Sequence, residues 1–214
     1  MNYLLKLVKA NVNHKTRFHT ERGDLMPFRA FLRIPMALLN RITGKCKIQP
    51  WIVPEAIYWL KQNMGKEWQV FEFGCGWSTI WYAKHCYKIV SIEDNQNWYD
   101  IVKQRILKQK VQNCDLRMVK LDDFITGITS FPDAYFDLVI VDSSEVIKTL
   151  RIDAVKAAML KVKPGGYILL DDSDRPQYES VPKYLRGWIA QSFVGVKPIP
   201  LMAIETTIFQ RPVE

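Results

Sequence analysis

No apolar run in this sequence approaches the ~18 residues that a membrane-spanning helix requires. The N-terminal stretch Met1–Ala10 carries Lys6 and Lys9 inside its apolar residues, which makes a poor signal-peptide core. Histidine is scarce: His14, His19 and His85 are scattered along the chain. The four cysteines, Cys46, Cys75, Cys86 and Cys114, form no C-x-x-C pair and have no zinc-like spacing with histidine. They do not read as a disulfide framework either, so free thiols in a reducing cytoplasm are the expectation. Acid is nearly missing from the first fifty residues, where ten Lys and Arg face only Glu21 and Asp24. Residues 51–214 hold twenty of each sign. The net charge of +8 therefore belongs to the N-terminal fifth, and the remainder is neutral. A basic arm suits phosphate, whether of nucleic acid or of an anionic membrane surface; a solvated flank packed on the domain is the plainer reading.

Hydrophobic residues make up 48% of the 214, which excludes a disordered chain and allows a sizeable core. The length favours one domain with an appendage. Residues 1–48 read as a basic helical extension and residues 49–214 as the domain. In the extension, Tyr3, Leu4, Leu7 and Val8 share a helical face. Phe28, Phe31 and Leu32 share another, continued past Pro35 by Leu38, Leu39 and Ile42, with Gly44 as a helix stop. The residues from Asn11 to Asp24 read as a polar loop. Basic and large apolar residues in alternation suit a helix lying on a membrane surface, and equally a helix that lids a substrate cleft.

Strand and helix alternate from Pro54 onward. Helices are expected over 54–64, 77–85, 95–110, 148–161 and 181–190. Strands are expected over 68–73, 88–92, 116–119, 137–141, 167–170, 193–197 and 205–210, the last two as an antiparallel pair. Such alternation predicts a parallel sheet with helices on both faces. Ligands of such sheets bind at the carboxyl ends of the strands, near the point where strand order reverses.

The first strand ends in Val70-Phe-Glu-Phe-Gly-Cys-Gly-Trp77. Gly74 and Gly76 allow a turn into a helix and close approach of a ligand to the backbone. Glu93 and Asp94 follow the second strand about 20 residues later, where an acid can accept both hydroxyls of a ribose. Acids opening the next helix are the bland alternative. A third glycine is missing: position 79 is Thr, which disfavours a dinucleotide pyrophosphate. No G-K-[ST] follows, so there is no P-loop. S-adenosylmethionine (SAM) lacks phosphate and escapes that objection. Its charged amino acid end could be held by Glu72 and the backbone at Gly74, with Ser78 and Thr79 nearby.

Glu72-Phe-Gly-Cys-Gly76, the acid Glu93, Phe136-Asp-Leu-Val-Ile-Val-Asp142 and Lys163-Pro-Gly-Gly-Tyr-Ile-Leu-Leu170 resemble the successive motifs of class I SAM-dependent methyltransferases. Pro50-Trp51, Trp77-Ser-Thr79, Asp172-Ser-Asp-Arg175 with Tyr178, and Glu205-Thr-Thr-Ile-Phe209 look like a poorly characterised bacterial subgroup of them. The resemblance covers roughly residues 50–210. It implies a Rossmann-like three-layer α/β sandwich whose mostly parallel seven-stranded sheet ends in an antiparallel strand. It implies SAM held by Glu72, Gly74, Cys75, Gly76 and Ser78, with Glu93 and Asp94 at the ribose and Asp122 or Asp123 near the adenine. Asp142 would stand beside the methyl group. Trp77 and Ser143-Ser144 depart from the commonest pattern, where small residues stand.

A hydroxyl acceptor needs a base or a metal to take its proton. Asp142 and Asp172 are the candidate bases. Asp142, Asp172 and Ser173 could instead hold a divalent cation, as in catechol-type O-methyltransferases, but Ser is a weak ligand and a metal is not favoured. Asp172 and Asp174 capping the next segment and pairing with Arg175 is the structural alternative. The leading expectation is a cytoplasmic O-methyltransferase acting on a small molecule or glycan, with peripheral contact to the inner membrane surface through residues 1–48 left open. A nucleic-acid methyltransferase and a non-catalytic SAM-binding protein are the alternatives. The missing Asn/Asp-Pro-Pro-aromatic motif and the neutral domain speak against nucleic acid.

Overall fold

Short apolar runs, buried on both faces, become neighbouring strands: β1 (Gln69–Phe73), β2 (Lys88–Glu93) and β4 (Phe136–Val141). The computed structural model describes residues 15–43, 48–144, 147–197 and 202–214. Within them the sheet is completed by β3 (Cys114–Met118), β5 (Val162–Asp171), β6 (Ile189–Val196) and β7 (Ala203–Gln210). The strand order is β3-β2-β1-β4-β5-β7-β6. The first five strands pair in parallel, and β7 runs antiparallel to both its neighbours, β5 and β6. The mostly parallel seven-stranded sheet with an antiparallel last strand is thus present.

The helices are α1 (Phe28–Phe31), α2 (Ile34–Thr43), α3 (Pro54–Asn63), α4 (Trp77–Ala83), α5 (Gln96–Lys108), α6 (Thr126–Thr129), α7 (Leu150–Lys161) and α8 (Val181–Tyr184). Strand side chains alternate between two cores. Phe71, Phe73, Val139, Val141, Ile168 and Leu170 face Ile128 of α6, Val155 of α7 and Val181 of α8. Val70, Leu138, Ile140, Leu169 and Ile208 face Ala56 and Leu60 of α3 and Tyr82 of α4. Helix α5 packs on α4 through Val102, Ile106 and Ile80, beside Leu116 of β3.

Two expectations need correction. The helix expected over 181–190 stops at Tyr184. Gly187 turns in the left-handed region, with φ of +88°, and Ile189 and Ala190 already pair with Gln210 and Phe209. The sheet ladder overrides the helical pattern there. The second concerns the extension. Met26, Ala30 and Ala37 are its buried side, packed on Val196 and Ala203 beside Val194. The residues read as sharing one face are divided: Phe31 packs against this cluster, whereas Phe28, Leu32 and Ile42 are exposed.

Residues 15–43 are joined to the domain by polar contacts as well. The Ala203 N–H donates to the Arg17 carbonyl at 2.7 Å, and the Glu21 N–H donates to Asp174 Oδ2 at 2.8 Å. Arg22 pairs with Glu205, and Arg33 with Glu55 at 3.0 Å. The helix expected around Tyr3 to Val8, the stop at Gly44, and His14 and Cys46 lie outside the described residues. Among the described residues no helix is long and apolar enough to cross a membrane.

Candidate active site

Strand order reverses between β1 and β4, and the carboxyl ends of these two strands are tied together. The Asp142 N–H donates to the Phe73 carbonyl at 3.2 Å, and the Gly74 N–H donates to the Ile92 carbonyl at 2.9 Å. Gly74 has a φ of +96°, and a Cβ there would lie 2.7 Å from the Asp142 carbonyl oxygen. Glycine is needed at 74 because the loop crosses the end of β4, and its close approach is to backbone. Gly76 opens α4, and its N–H donates to Thr79 Oγ1 at 2.9 Å.

A small cleft of about 60 Å³ opens at this crossing. Cys75, Gly76, Ser78 and Asp142 line it, together with Trp51, Trp77 and Trp98. Glu93 borders it through the loop: Oε2 accepts the Cys75 N–H at 3.0 Å and Oε1 the Asn95 N–H at 3.0 Å. Glu93 therefore joins the glycine loop to the start of α5, and burial raises its pKa. A carboxylate has further lone pairs that a ribose could use. Asn95 caps α5 by accepting the Trp98 N–H at 3.0 Å. That cap places the Trp98 indole over the loop, where Nε1–H donates to the Cys75 carbonyl at 2.6 Å. Trp77 lies tilted against Trp98, with ring centroids 5.8 Å apart, and the Arg105 guanidinium lies 3.4 Å from a Trp77 ring centre.

Glu72 does not reach the cleft. It is 1% exposed and accepts hydrogen bonds from Ser78 Oγ at 2.6 Å, Thr79 Oγ1 at 2.6 Å and Ser91 Oγ at 2.7 Å. It is a buried pillar tying β1 to β2 and to the first turn of α4, and burial pushes its pKa up to about 7. Ser78 is the link between this pillar and the cleft. Asp94 is half-buried and Asp122 and Asp123 are exposed on the turn after β3; none of the three lines the cleft. Burial drives the Cys75 thiol pKa far up, so this thiol stays protonated and is no nucleophile.

The acids at the ends of β4 and β5 divide. Asp142 keeps 29% of its side chain exposed and takes Arg151 Nη2 at 3.2 Å. Burial raises its pKa, against the pull of Arg151 and Lys197. Asp172 is turned away, its side chain 6% exposed between Lys197 at 2.6 Å and Arg175 at 2.6 Å. Asp171 is fully buried, pairs with Lys197 at 2.7 Å and accepts Thr206 Oγ1 at 2.8 Å. Asp174 receives the Glu21 and Glu205 N–H groups. Ser173 Oγ faces Glu205 and Thr207. Asp142 and Asp172 both face the Arg151 guanidinium, at 3.2 and 3.8 Å, while Ser173 is directed to Glu205 and Thr207, so a cation of the protein's own already occupies the place between the two carboxylates. Among the described residues no cluster of His, Cys, Asp and Glu has metal-binding geometry.

Sequence reasoning missed Arg151, Lys197 and Trp98. Arg151 is buried, donating to the Ser143 carbonyl at 2.6 and 2.9 Å and to the Asp171 carbonyl at 2.8 Å. It binds the ends of β4 and β5 together and fixes the Asp142 carboxylate. Its place in the first turn of α7 was legible; its burial was not, because long cations are rarely buried unless paired. Lys197 follows the end of β6 and had no sequence signal. Trp98 could have been found as the third residue after an Asn cap.

The donor chemistry suits a nucleoside with a charged tail: a carboxylate at the end of β2, a hydroxyl and backbone at the glycine loop, an acid at the end of β4. The volume is far below the ~300 Å³ or more of ordinary ligand pockets, because the indoles occupy the space. No curated protein is similar to this sequence at a significant level. Three solved structures share the fold. A protein from Klebsiella pneumoniae proposed to be an O-methyltransferase is 15% identical, covering 99% of this chain and 95% of that one at a TM-score of 0.58. An O-methyltransferase from Bacillus cereus, in complex with SAH, is 15% identical over 84% and 90% at 0.57. An rRNA methylase from Streptococcus thermophilus is 14% identical over 72% and 93% at 0.56. The family model for a methyltransferase domain matches residues 71–170, which run from β1 through the glycine loop and Asp142 into β5. By that match and that fold, the chain is similar to the Rossmann-like, SAM-dependent methyltransferases.

Proposed function

We propose that this protein moves a methyl group from SAM to a hydroxyl of a small-molecule or glycan acceptor, with Asp142 receiving the hydroxyl proton. The observation that carries this reading is the position of Asp142. It shares one cleft with Cys75, Gly76 and Ser78 while Arg151 holds its carboxylate from behind. Bound SAM supplies an electrophilic methyl group, so the protein's work is placement and water exclusion. Glu93 would accept the ribose hydroxyls. Ser78 and the loop backbone would meet the amino acid end. Asp142, with its pKa raised by burial, is a better base than an exposed aspartate. The thiols of Cys75, Cys86 and Cys114, free of disulfides, support a reducing cytoplasm as the place of action.

Calorimetry with SAM, NAD and Mg²⁺ in turn tests the cofactor: heat with SAM and none with NAD is expected, and the reverse overturns the reading. Methyl transfer is then followed with labelled SAM and a cell extract fractionated into small molecules, glycans, protein and nucleic acid. Asp142→Asn is expected to bind SAM while losing about 100-fold or more of the transfer rate. Full activity in that variant removes Asp142 as the base. Label found in the RNA or DNA fraction moves the acceptor class to nucleic acid.

A further inference from the structure

Helices α1 and α2 are apolar on both sides. Their inner side, Met26, Ala30 and Ala37, is satisfied by β6 and β7. Their outer side carries Leu25, Phe28, Leu32, Met36 and Ile42, which are 60%, 80%, 71%, 61% and 75% exposed. Phe28, Leu32 and Met36 follow at intervals of four and Leu39 and Ile42 at intervals of three, with Leu25 just before the first helix, so these side chains form one outward stripe. Along the sequence of this segment the charge is of one sign. From Leu25 to Pro54 there is no acid, while Arg29, Arg33, Arg41, Lys45 and Lys47 are basic. Arg29 is exposed beside the stripe, and Arg33 is half-exposed although it pairs with Glu55. A groove of about 280 Å³ between α2 and α3 adjoins the stripe, with Arg33 and Lys61 beside Met36 and Tyr58.

We infer that the outer face of α1 and α2 docks this protein on an anionic lipid surface. An isolated exposed Leu or Phe needs no explanation, but five on one side of a short helix pair, beside Arg29 and Arg33, do. A second copy of the same chain fits less well, because two such faces would bring their arginines and lysines together with no acid from this segment between them. A bilayer answers both features. Apolar side chains enter the acyl boundary, and arginine and lysine meet the headgroup phosphates. The two helices lie flat on the domain's edge, so docking needs no unfolding of their packed side. This holds whether or not the cleft transfers methyl groups.

The test uses the full chain and vesicles of phosphatidylcholine alone or mixed with phosphatidylglycerol. Cosedimentation with the mixed vesicles is expected, weak or lost on phosphatidylcholine alone and falling as salt is raised. Phe28→Ser with Leu32→Ser should lower the partition by at least about tenfold, since two large apolar side chains no longer enter the lipid. Arg29→Glu should lower it on the mixed vesicles only. Circular dichroism and thermal unfolding should match the wild type, because these side chains are exposed. Absence of wild-type binding to either vesicle overturns the inference. So does unchanged binding by the double variant. Light scattering that shows a wild-type dimer, a monomeric double variant and no lipid binding assigns the face to self-association and overturns it too.

Discussion

Glu72 is buried among hydroxyls, and its carboxyl pKa rises from 4.5 to about 7. Between these values the folded state binds a proton that the unfolded state has released. Stability must therefore fall as pH rises through that window, by an amount on the order of 3 kcal/mol for this group alone. Asp171, also raised to about 7 by burial, adds to the same slope, so only a comparison isolates Glu72. Glu72→Gln keeps an acceptor and a donor for Ser78, Thr79 and Ser91 but cannot ionise. Its melting temperature should decline less between about pH 4 and pH 8, a range that brackets that window, than that of the wild type. Parallel slopes for the two proteins would show that the carboxyl stays charged in the fold. The sequence placed Glu72 correctly at the end of a strand and misjudged its direction. Strand alternation sends Glu72 to the α4 face with Val70, and only the hydroxyls of Ser78, Thr79 and Ser91 make that tolerable. Those hydroxyls come from two other elements, which no local pattern reveals.

Among the elements, the start of α5 and the glycine loop act as one unit, because Glu93 and Trp98 each bond to Cys75. Seating SAM in a cleft of about 60 Å³ has to displace the indoles that line it. Titration with SAM should therefore shift and weaken tryptophan emission, and Trp98→Phe should remove much of that change while leaving the fold intact. An unaltered emission spectrum at saturating SAM, as judged by calorimetry, would mean that the cofactor enters elsewhere. The strands and their turns were legible because continuous apolar runs between glycines and acids have few other readings. The helix expected over 181–190 was not, since Ile189 and Ala190 suit a helix or a strand equally and the partner strand β7 decided the matter. The outward face of α1 and α2 was likewise hidden. Its apolar spacing suited a membrane surface and a cleft lid alike, and nothing in it marked the small residues Ala30 and Ala37 as the side that packs on the domain.

For the molecule as a whole, residues 15–43 close one edge of the sheet. Removing residues 1–48 would uncover Val194, Val196 and Ala203 and leave Glu205 and Asp174 without Arg22 and the Glu21 N–H. The truncated chain should unfold at lower denaturant, by about 2–4 kcal/mol, and aggregate more readily. Equal stability, measured by urea unfolding, would mean that the segment only rests on the domain. The sheet order also sets a sequence of events during synthesis. Strand β7 lies between β5 and β6, so β6 gains its neighbour only when β7 has been made. Residues 15–43, made before the sheet, find Val196 and Ala203 only then. This segment and strand β7 must therefore complete the fold together, and until that moment an apolar helix pair and an unpaired strand stay open to chaperones.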